Sequence, residues 1–195
     1  MRDFVPRLMI CGEARSGKDS LADMICESSN GSYSKISSSE CAIDEVIYPI
    51  IDQICSQGEV ERIRRIFKTF GQEAAYSYLY ENRFEFRSEW KKAICDYNSA
   101  DPCRLMRGLF KTSNIYVGIR SLREFSQGEK LGLFGLSIWV DRPGIPKDQT
   151  NEITSKNCQI SVRNDGTISD LRDNACAILD FINPLLLRPS FRVRR

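Results

Sequence analysis

The chain of 195 residues contains no histidine. Because Ser-His and Cys-His nucleophile pairs and His-containing metal sites all need an imidazole, the sequence excludes these catalytic and metal-binding classes. The eight cysteines form no CxxC pair, and most of them lie inside apolar periodic segments. A free thiol in such a segment behaves as a small hydrophobic group, so we expect reduced cysteines in the core.

Long apolar runs and an excess of one charge are also missing. No stretch approaches the ~20 apolar residues needed to span a bilayer, and the N-terminus runs from an acid into a short apolar segment, unlike a signal peptide. The 28 basic and 26 acidic residues nearly balance, and 42% of the chain is hydrophobic. We therefore expect a globular cytoplasmic protein with no membrane partner.

Short apolar runs alternate with helical patterns along the chain, as they do in βαβ units around a parallel sheet. Strands are predicted at Leu8–Cys11, Tyr33–Ile36, Ile115–Ile119, Leu136–Val140 and Gln159–Val162. Helical stripes are predicted around Leu21–Ile25, Ile43–Ile54 and Ile63–Phe70, with further helices over Arg87–Tyr97, Pro102–Lys111, Ser121–Lys130 and Ile168–Ile182. The pattern predicts an α/β fold with about five mostly parallel strands.

The domain organisation predicted is one domain over residues 1–183 and a basic tail over 184–195. The long helical stretch between the second and third strands, about 40–113, is where such sheets often carry a substrate-binding insertion. The tail holds two prolines and four arginines. We expect it to be poorly ordered unless it meets a partner, with a solvated terminus as the simpler interpretation.

A phosphate-binding motif is present near the N-terminus, where residues 12–18 read GEARSGK with the GxxxxGK spacing. The two glycines allow a tight loop whose N–H groups point at phosphate oxygens, while the lysine reaches the β- and γ-phosphates. The motif directly follows an apolar strand and opens an amphipathic helix, which is the context it requires. The residues predicted to bind the phosphates of ATP are Gly12, Ala14, Arg15, Ser16, Gly17, Lys18, Asp19 and Ser20.

The position after the lysine departs from the common motif. It is normally a Ser or Thr that holds Mg²⁺, but here it is Asp19, and Ser20 follows one step later. A carboxylate can hold Mg²⁺ directly or through water, so Asp19 and Ser20 are the candidate metal ligands. Asp19 is also a candidate base if the phosphate acceptor is a hydroxyl.

Residues 15–20 read RSGKDS, and Ala22 and Asp23 follow. This run resembles the RSGKD(T/S)xxAD opening of bacteriophage deoxynucleoside monophosphate kinases. Three further patches follow in that family's order: IYVGIR at 115–120 with Glu124 beyond it, WVDRPG at 139–144, and VRNDGT at 162–167 with Leu171. The resemblance implies a three-layer α/β sandwich of the P-loop nucleotide kinase type, with a helical acceptor insertion, a short lid over about 142–157, and a host cytoplasmic location if a phage encodes it.

The resemblance covers about half of the chain, and the segment from about residue 50 to 113 has no match. At one position inside the matching patches, Gly118 replaces an aspartate of the family's third strand. This replacement removes a metal-side carboxylate and leaves Asp19 or Asp141 to substitute. By the resemblance, Asn164 and Gly166 line the adenine pocket, although an Asn-Asp-Gly sequence is first of all a good turn.

Two arginines suit the charge stabilisation that phosphoryl transfer needs, since a planar guanidinium matches phosphate oxygens. Arg120 leaves the carboxyl end of a predicted central strand, where ligands bind in open α/β sheets; the alternative is an ion pair with Glu124. Arg142 opens the polar segment Pro143–Lys156, which is either a lid over the phosphates or an exposed loop. The catalytic candidates are Lys18, Asp19, Arg120 and Arg142.

The acceptor side is less defined. Ser37 and Ser38 follow the second strand and face the same crevice, or they belong to a plain helix cap with Ser39 or Ser38 as the N-cap residue. Arg87 and Arg104 on the mid-chain helices, together with Arg120, are candidates for an acidic acceptor, and a solvated helix face is the alternative. Aromatic neighbours such as Trp90 either stack a base or belong to the core.

Three functions from different classes therefore stay open. The first is an ATP- and Mg²⁺-dependent (deoxy)nucleoside monophosphate kinase. The second is a P-loop kinase acting on a hydroxyl of a modified base, such as 5-hydroxymethyluracil in phage DNA, with Asp19 as the base and the tail 188–195 as a DNA contact. The third is a nucleotide-binding P-loop protein without catalytic activity.

Overall fold

The computed structural model describes residues 5–186 of the chain, with side chains as far as residue 182. The chain divides into two compact units. One, which we call the sheet unit, takes the described residues of Met1–Ser37 and Met106–Arg195, and the other, the helical unit, is Ser38–Leu105. The predicted basic tail lies outside the described residues from position 187 onward.

Five parallel strands form the sheet of the sheet unit. They are β1 (Leu8–Gly12), β2 (Lys35–Ser37), β3 (Ile115–Val117), β4 (Leu136–Asp141) and β5 (Ile160–Arg163). Their order is β2-β3-β1-β4-β5, and Leu8 of β1 pairs with Ile115 on one side and Leu136 on the other. Each strand overlaps its predicted range to within a residue or two. The predicted α/β fold with about five mostly parallel strands is confirmed.

The α-helices lie between and after these strands. In chain order they are α1 (Lys18–Ser28), α2 (Ser38–Ala42), α3 (Ile51–Ile54), α4 (Gln57–Phe70), α5 (Gln72–Glu81), α6 (Arg87–Tyr97), α7 (Arg104–Thr112), α8 (Leu122–Lys130) and α9 (Ile168–Leu186). A π-helical turn covers Ile43–Ile47, and 3₁₀ turns cover Tyr48–Ile50 and Ser155–Asn157. The bounds of α6 are those predicted from the apolar spacing.

Successive side chains of a strand point to opposite sides of the sheet, so both faces carry apolar side chains. Helices pack against both faces. On one face, Ile10 and Ile138 belong to an apolar cluster with α1 and α9. On the other face, the Phe110 ring of α7 packs edge-on against Tyr116 of β3. These two helical layers and the sheet between them make a three-layer α/β sandwich of the P-loop NTPase-like type.

The helical unit has its own apolar core, built from residues such as Ile47, Ile63, Leu79 and Trp90. The stripe predicted over Ile43–Ile54 is helical, but it is not one regular α-helix: a π-helical turn, a 3₁₀ turn and α3 share this range. Pro49 lies in the 3₁₀ turn, and it cannot donate the N–H that a continuous helix needs. Trp90 is buried in this core, which favours the core interpretation over a base-stacking platform.

None of the eight cysteines, all of which lie within residues 5–186, is part of a disulfide. Cys11 and Cys103 are buried, as expected, but Cys95 and Cys176 are exposed. The prediction of core thiols is wrong for these two, because they lie on helix faces turned away from the buried residues of α6 and α9. Among the described residues, no helix is both long enough and apolar enough to cross a membrane.

Candidate phosphate-binding site

The loop between β1 and α1 contains two glycines at positions where a larger residue would clash with its neighbours. Gly12 has φ +153°, and a Cβ there would lie 2.5 Å from Ser16 Oγ and 2.8 Å from the carbonyl oxygen of Val140. Gly17 has φ +92°, and a Cβ there would lie 2.3 Å from Asn164 Nδ2. Arg15 also has a positive φ of 64°, which is uncommon for a residue with a side chain. Strained backbone of this kind is typical of ligand-binding loops.

Several N–H groups of the loop are available to a ligand. Ser16 donates its N–H to the Glu13 carbonyl at 3.2 Å, and Leu21 donates to Gly17 at 2.9 Å. Four others donate to no backbone carbonyl within residues 5–186: those of Ala14, Arg15, Gly17 and Lys18. Successive free N–H groups at a helix N-terminus attract anions, since the helix dipole is positive there.

Lys18 opens α1, and its side chain is only 13% exposed. The Nζ donates to the carbonyl oxygen of Glu13 at 3.2 Å and lies 3.9 Å from an Asp19 carboxylate oxygen. Burial lowers the pKa of Lys18, Asp19 raises it, and the positive charge of Arg120 lowers it again. The net lowering indicates an ammonium group that is incompletely compensated, so a bound anion would stabilise it.

A second segment fastens the loop. The side-chain amide of Asn164 donates to the Ser16 carbonyl at 2.8 Å, and the Asn164 backbone N–H donates to the Asp141 carbonyl at 2.7 Å. This amide is therefore occupied in holding the loop, while a role of Asn164 and Gly166 in an adenine pocket stays a prediction. The Ser16 hydroxyl is buried and has no hydrogen-bond partner in the described part of the chain, which fits a ligand oxygen.

Arg120 follows β3 and faces the segment between β4 and β5. Its Nη1 forms an ion pair with Asp148 and donates to Thr150 Oγ1 at 2.6 Å. The alternative prediction that Arg120 pairs with Glu124 is wrong. Ser121 is the N-cap residue of α8, so Arg120 precedes the helix and the four-residue spacing does not bring the two side chains together.

Glu124 lies instead among buried groups at the start of α8, with 8% of its surface exposed. The Tyr116 hydroxyl donates to its Oε1 at 3.1 Å. Burial raises the pKa of Glu124 to about 7, although the hydrogen bond from Tyr116 lowers it. This carboxyl group therefore titrates near neutral pH.

The predicted lid segment is tied to the loop by Glu13. Its Oε2 accepts the backbone N–H of Asp148 at 3.0 Å and the side-chain amide of Asn151 at 3.4 Å. The backbone N–H of Glu152 also donates to the carbonyl oxygen of Arg120 at 3.0 Å. Sequence reasoning missed Glu13, Asp148 and Asn151, because Glu13 occupies a variable motif position and nothing local marks the other two.

The remaining donor-side candidates lie on the surface. Arg142 donates from Nη1 to the Arg15 carbonyl at 3.5 Å, so the structure brings this arginine next to the loop. Asp19 and Ser20 are exposed in the first turn of α1. Within residues 5–186, no group of three or more Cys, Asp or Glu side chains is arranged to hold a metal ion. Gly118 has φ +94°, a conformation that favours glycine over the aspartate of the resembling family.

The acceptor-side candidates belong to strand β2 and to helices α2, α6 and α7. Ser37 ends β2 and Ser38 begins α2, so the prediction of Ser38 or Ser39 as the N-cap residue is wrong, because both lie inside the helix. Arg87 and Arg104 are the first residues of α6 and α7. The guanidinium of Arg104 lies 4.0 Å from the ring centroid of Tyr97, within the helical unit.

Comparison with known proteins adds no family. Neither a scan of the chain against protein-family models nor a search of curated proteins gives a match. What the structure defines is the fold, an α/β three-layer sandwich of the P-loop NTPase-like type.

Proposed function

We propose that the protein is an ATP- and Mg²⁺-dependent phosphotransferase, and that its acceptor is a nucleoside monophosphate, a deoxynucleotide by the resemblance. The observation that carries the proposal is the loop between a buried strand and α1. It combines free N–H groups with Lys18, whose partly buried charge favours a bound anion. Phosphate groups of a nucleoside triphosphate supply such an anion.

The proposed role of each residue in phosphate transfer follows from its chemistry. Lys18 and the loop N–H groups hold the β- and γ-phosphates. Arg15, Arg120 and Arg142 balance the charge that develops on the transferring group. An oxygen of the acceptor phosphate forms the new bond to the γ-phosphorus while the bond to ADP breaks. Because that acceptor oxygen is already ionised, the transfer needs no general base.

Asp19 and Ser20 would hold Mg²⁺, the first through its carboxylate and the second through its hydroxyl. Both are exposed in the first turn of α1, beside Lys18, and oxygen ligands are those that Mg²⁺ prefers. Bound at this point, Mg²⁺ supplies positive charge that neutralises phosphate oxygens.

One observation favours a second candidate function. Asp19 places a carboxylate 3.9 Å from Lys18 Nζ, where a P-loop normally has a hydroxyl. A carboxylate there suits proton removal from an acceptor hydroxyl, such as that of 5-hydroxymethyluracil in DNA. This function assigns the arginines of the tail 188–195 to the DNA backbone.

The test is transfer of label from γ-labelled ATP, with Mg²⁺, to a panel of acceptors. The panel contains the deoxynucleoside and ribonucleoside monophosphates, plain DNA and DNA containing hydroxymethyluracil, with Lys18→Ala as the control protein. Label on a monophosphate supports the first function and identifies the base. Label on modified DNA alone supports the second. No Lys18-dependent label on any acceptor overturns the proposal of a phosphotransferase.

A further inference from the structure

Arg120, which we expect to contact a ligand phosphate, already forms an ion pair with a carboxylate of the protein. Arg120 Nη1 is paired with the Asp148 carboxylate and contacts the Thr150 hydroxyl at 2.6 Å. The Asp148 side chain is 15% exposed, and that of Arg120 is 38% exposed. This pair is therefore less exposed than the surface pair of Arg64 with Asp52, whose side chains are each 60% exposed.

Hydrogen bonds from Thr150 fix the position of the Asp148 carboxylate. Its Oδ1 accepts the backbone N–H of Thr150 at 2.9 Å and the Thr150 hydroxyl at 2.7 Å. The backbone N–H of Asp148 donates to Glu13 Oε2 at 3.0 Å, so the loop itself holds the residue. Ile153, which is 1% exposed, anchors the far end of the segment in the core. Asp148 is thus held in place over the loop.

The charges in this arrangement oppose a ligand phosphate. Lys18 lies close enough for the negative charge of Asp148 to raise its pKa. Burial raises the pKa of Asp148, but hydrogen bonds from Thr150 and Arg120 outweigh it and hold that pKa below its usual range. The carboxylate is therefore negative at neutral pH, and a phosphate brought between Lys18 and Arg120 would face a like charge.

We infer that Asp148 competes with ligand phosphate for Arg120 and Lys18, and so sets the affinity of the loop for nucleotides. The inference rests on the proposed phosphate-binding function. A bound nucleotide takes over the contacts of Asp148 with Arg120, and the segment 148–152 moves away from Glu13 as it does so. The cost of breaking these contacts is subtracted from the binding free energy of the nucleotide.

The test is the dissociation constant of ATP and ADP for Asp148→Asn, measured by calorimetry with Mg²⁺ at fixed ionic strength. An asparagine keeps the size of the side chain and an oxygen that accepts from Thr150, but it removes the negative charge. We expect Asp148→Asn to bind nucleotide about tenfold more tightly than the wild-type protein, since couplings between sites typically fall in this range.

The matched control is Asp52→Asn. Asp52 also pairs with an arginine, at 2.8 Å from Arg64, but this pair lies on the exposed surface of the helical unit. Its removal should leave the dissociation constant unchanged. If Asp148→Asn fails to fold by circular dichroism, Thr150→Val serves instead, because it removes the hydroxyl that donates to the Asp148 carboxylate and accepts from Arg120 Nη1. We expect that variant to tighten binding in the same direction, by less.

Two failures are distinguishable. If the wild-type protein binds nucleotide through Lys18, and Asp148→Asn binds equally or more weakly, the inference is overturned and the proposed function stands. If neither protein binds nucleotide, the proposed function fails, and the inference fails with it.

Discussion

One group of charged side chains in the sheet unit differs from the exposed ion pairs that both units carry on their surfaces. In the sheet unit, Lys18, Arg120 and Asp148 meet beside a strained loop, at the ends of parallel strands and partly withdrawn from water. In the helical unit, charged groups pair on the surface of helices, as Arg64 does with Asp52. Exposed ion pairs contribute little to the stability of the fold. Partly buried charges on strained backbone are typical of functional sites.

The positive backbone angles show the same contrast. Gly12 and Gly17 shape a loop in which neighbouring atoms leave no room for a Cβ. Gly71 also has a positive φ of 90°, but it only separates α4 from α5, and nothing lies within 4 Å of a Cβ placed there. The comparison teaches that positive φ alone marks a turn, whereas positive φ with close packing and free N–H groups marks a binding loop.

Replacing these glycines gives the largest expected difference. Gly12→Ala should weaken ATP binding by about 100-fold or more, because its Cβ would press on Ser16 and on the Val140 carbonyl and distort the loop. Gly71→Ala should lower the free energy of unfolding by roughly 1–3 kcal/mol through backbone strain, yet leave ATP affinity unchanged. Calorimetry and urea unfolding measure the two effects. Normal ATP binding by Gly12→Ala would contradict the contrast.

The arginines of the two units give the next difference. Arg120→Ala should lower the rate of phosphate transfer by about 100-fold, since it removes a donor aimed at the transferring charge. Its melting temperature should barely change, because the lost ion pair is partly exposed. Steady-state kinetics with a saturating acceptor measure the rate.

Arg104→Ala is the control from the helical unit. This arginine stacks on Tyr97, and its loss should cost about 0.5–1 kcal/mol of stability. Any kinetic effect should be confined to the KM of the acceptor. A loss of kcat in Arg104→Ala as large as that in Arg120→Ala would remove the distinction between the units.

A third difference, confined to stability, concerns two tyrosine–carboxyl pairs. Tyr116 and Glu124 form a buried pair in the sheet unit, and Tyr76 donates to Asp44 at 2.6 Å on the surface of the helical unit. Burial raises the folded pKa of Glu124 to about 7 from an ordinary value of 4.5. As pH rises between these values, the unfolded chain ionises first, so the native state loses stability.

Glu124→Gln removes this loss. Relative to the wild-type protein, the variant should gain roughly 1–3 kcal/mol of stability at pH 8 compared with pH 4, as the raised pKa implies. Urea unfolding at several pH values measures the gain, with Asp44→Asn as the variant of the exposed pair. Parallel stability curves for Glu124→Gln and the wild-type protein would show that Glu124 does not titrate near neutral pH.

Local sequence signals were enough to predict the strands, the bounds of α6 and the phosphate-binding motif of the loop. Apolar runs such as Leu136–Val140 and the GxxxxGK spacing depend on neighbours in the chain, so they can be read without the fold. The change of helix type at Pro49 also has a local cause, which the apolar stripe over Ile43–Ile54 concealed. The predicted stripe Ile63–Phe70 ends where α4 ends.

The contacts around Arg120 could not be predicted in this way. Asp148 is 28 positions away in the sequence, and only the order of the strands brings the two residues together. The spacing from Arg120 to Glu124 suggested a pair, but the helix begins after Arg120. The ligands of a site are set by tertiary structure, even where its phosphate loop is visible in the sequence.

The most direct test of the central claim is the affinity of ATP, with Mg²⁺, for the wild-type protein and for Lys18→Ala. Arg172→Ala is the control, since Arg172 belongs to the same unit but pairs with Glu27 at 3.0 Å on the exposed surface. We predict that the wild-type protein and Arg172→Ala bind ATP equally, whereas Lys18→Ala binds at least about tenfold more weakly with an unchanged melting temperature. Equal binding by all three proteins would contradict the assignment of the loop as the phosphate-binding site.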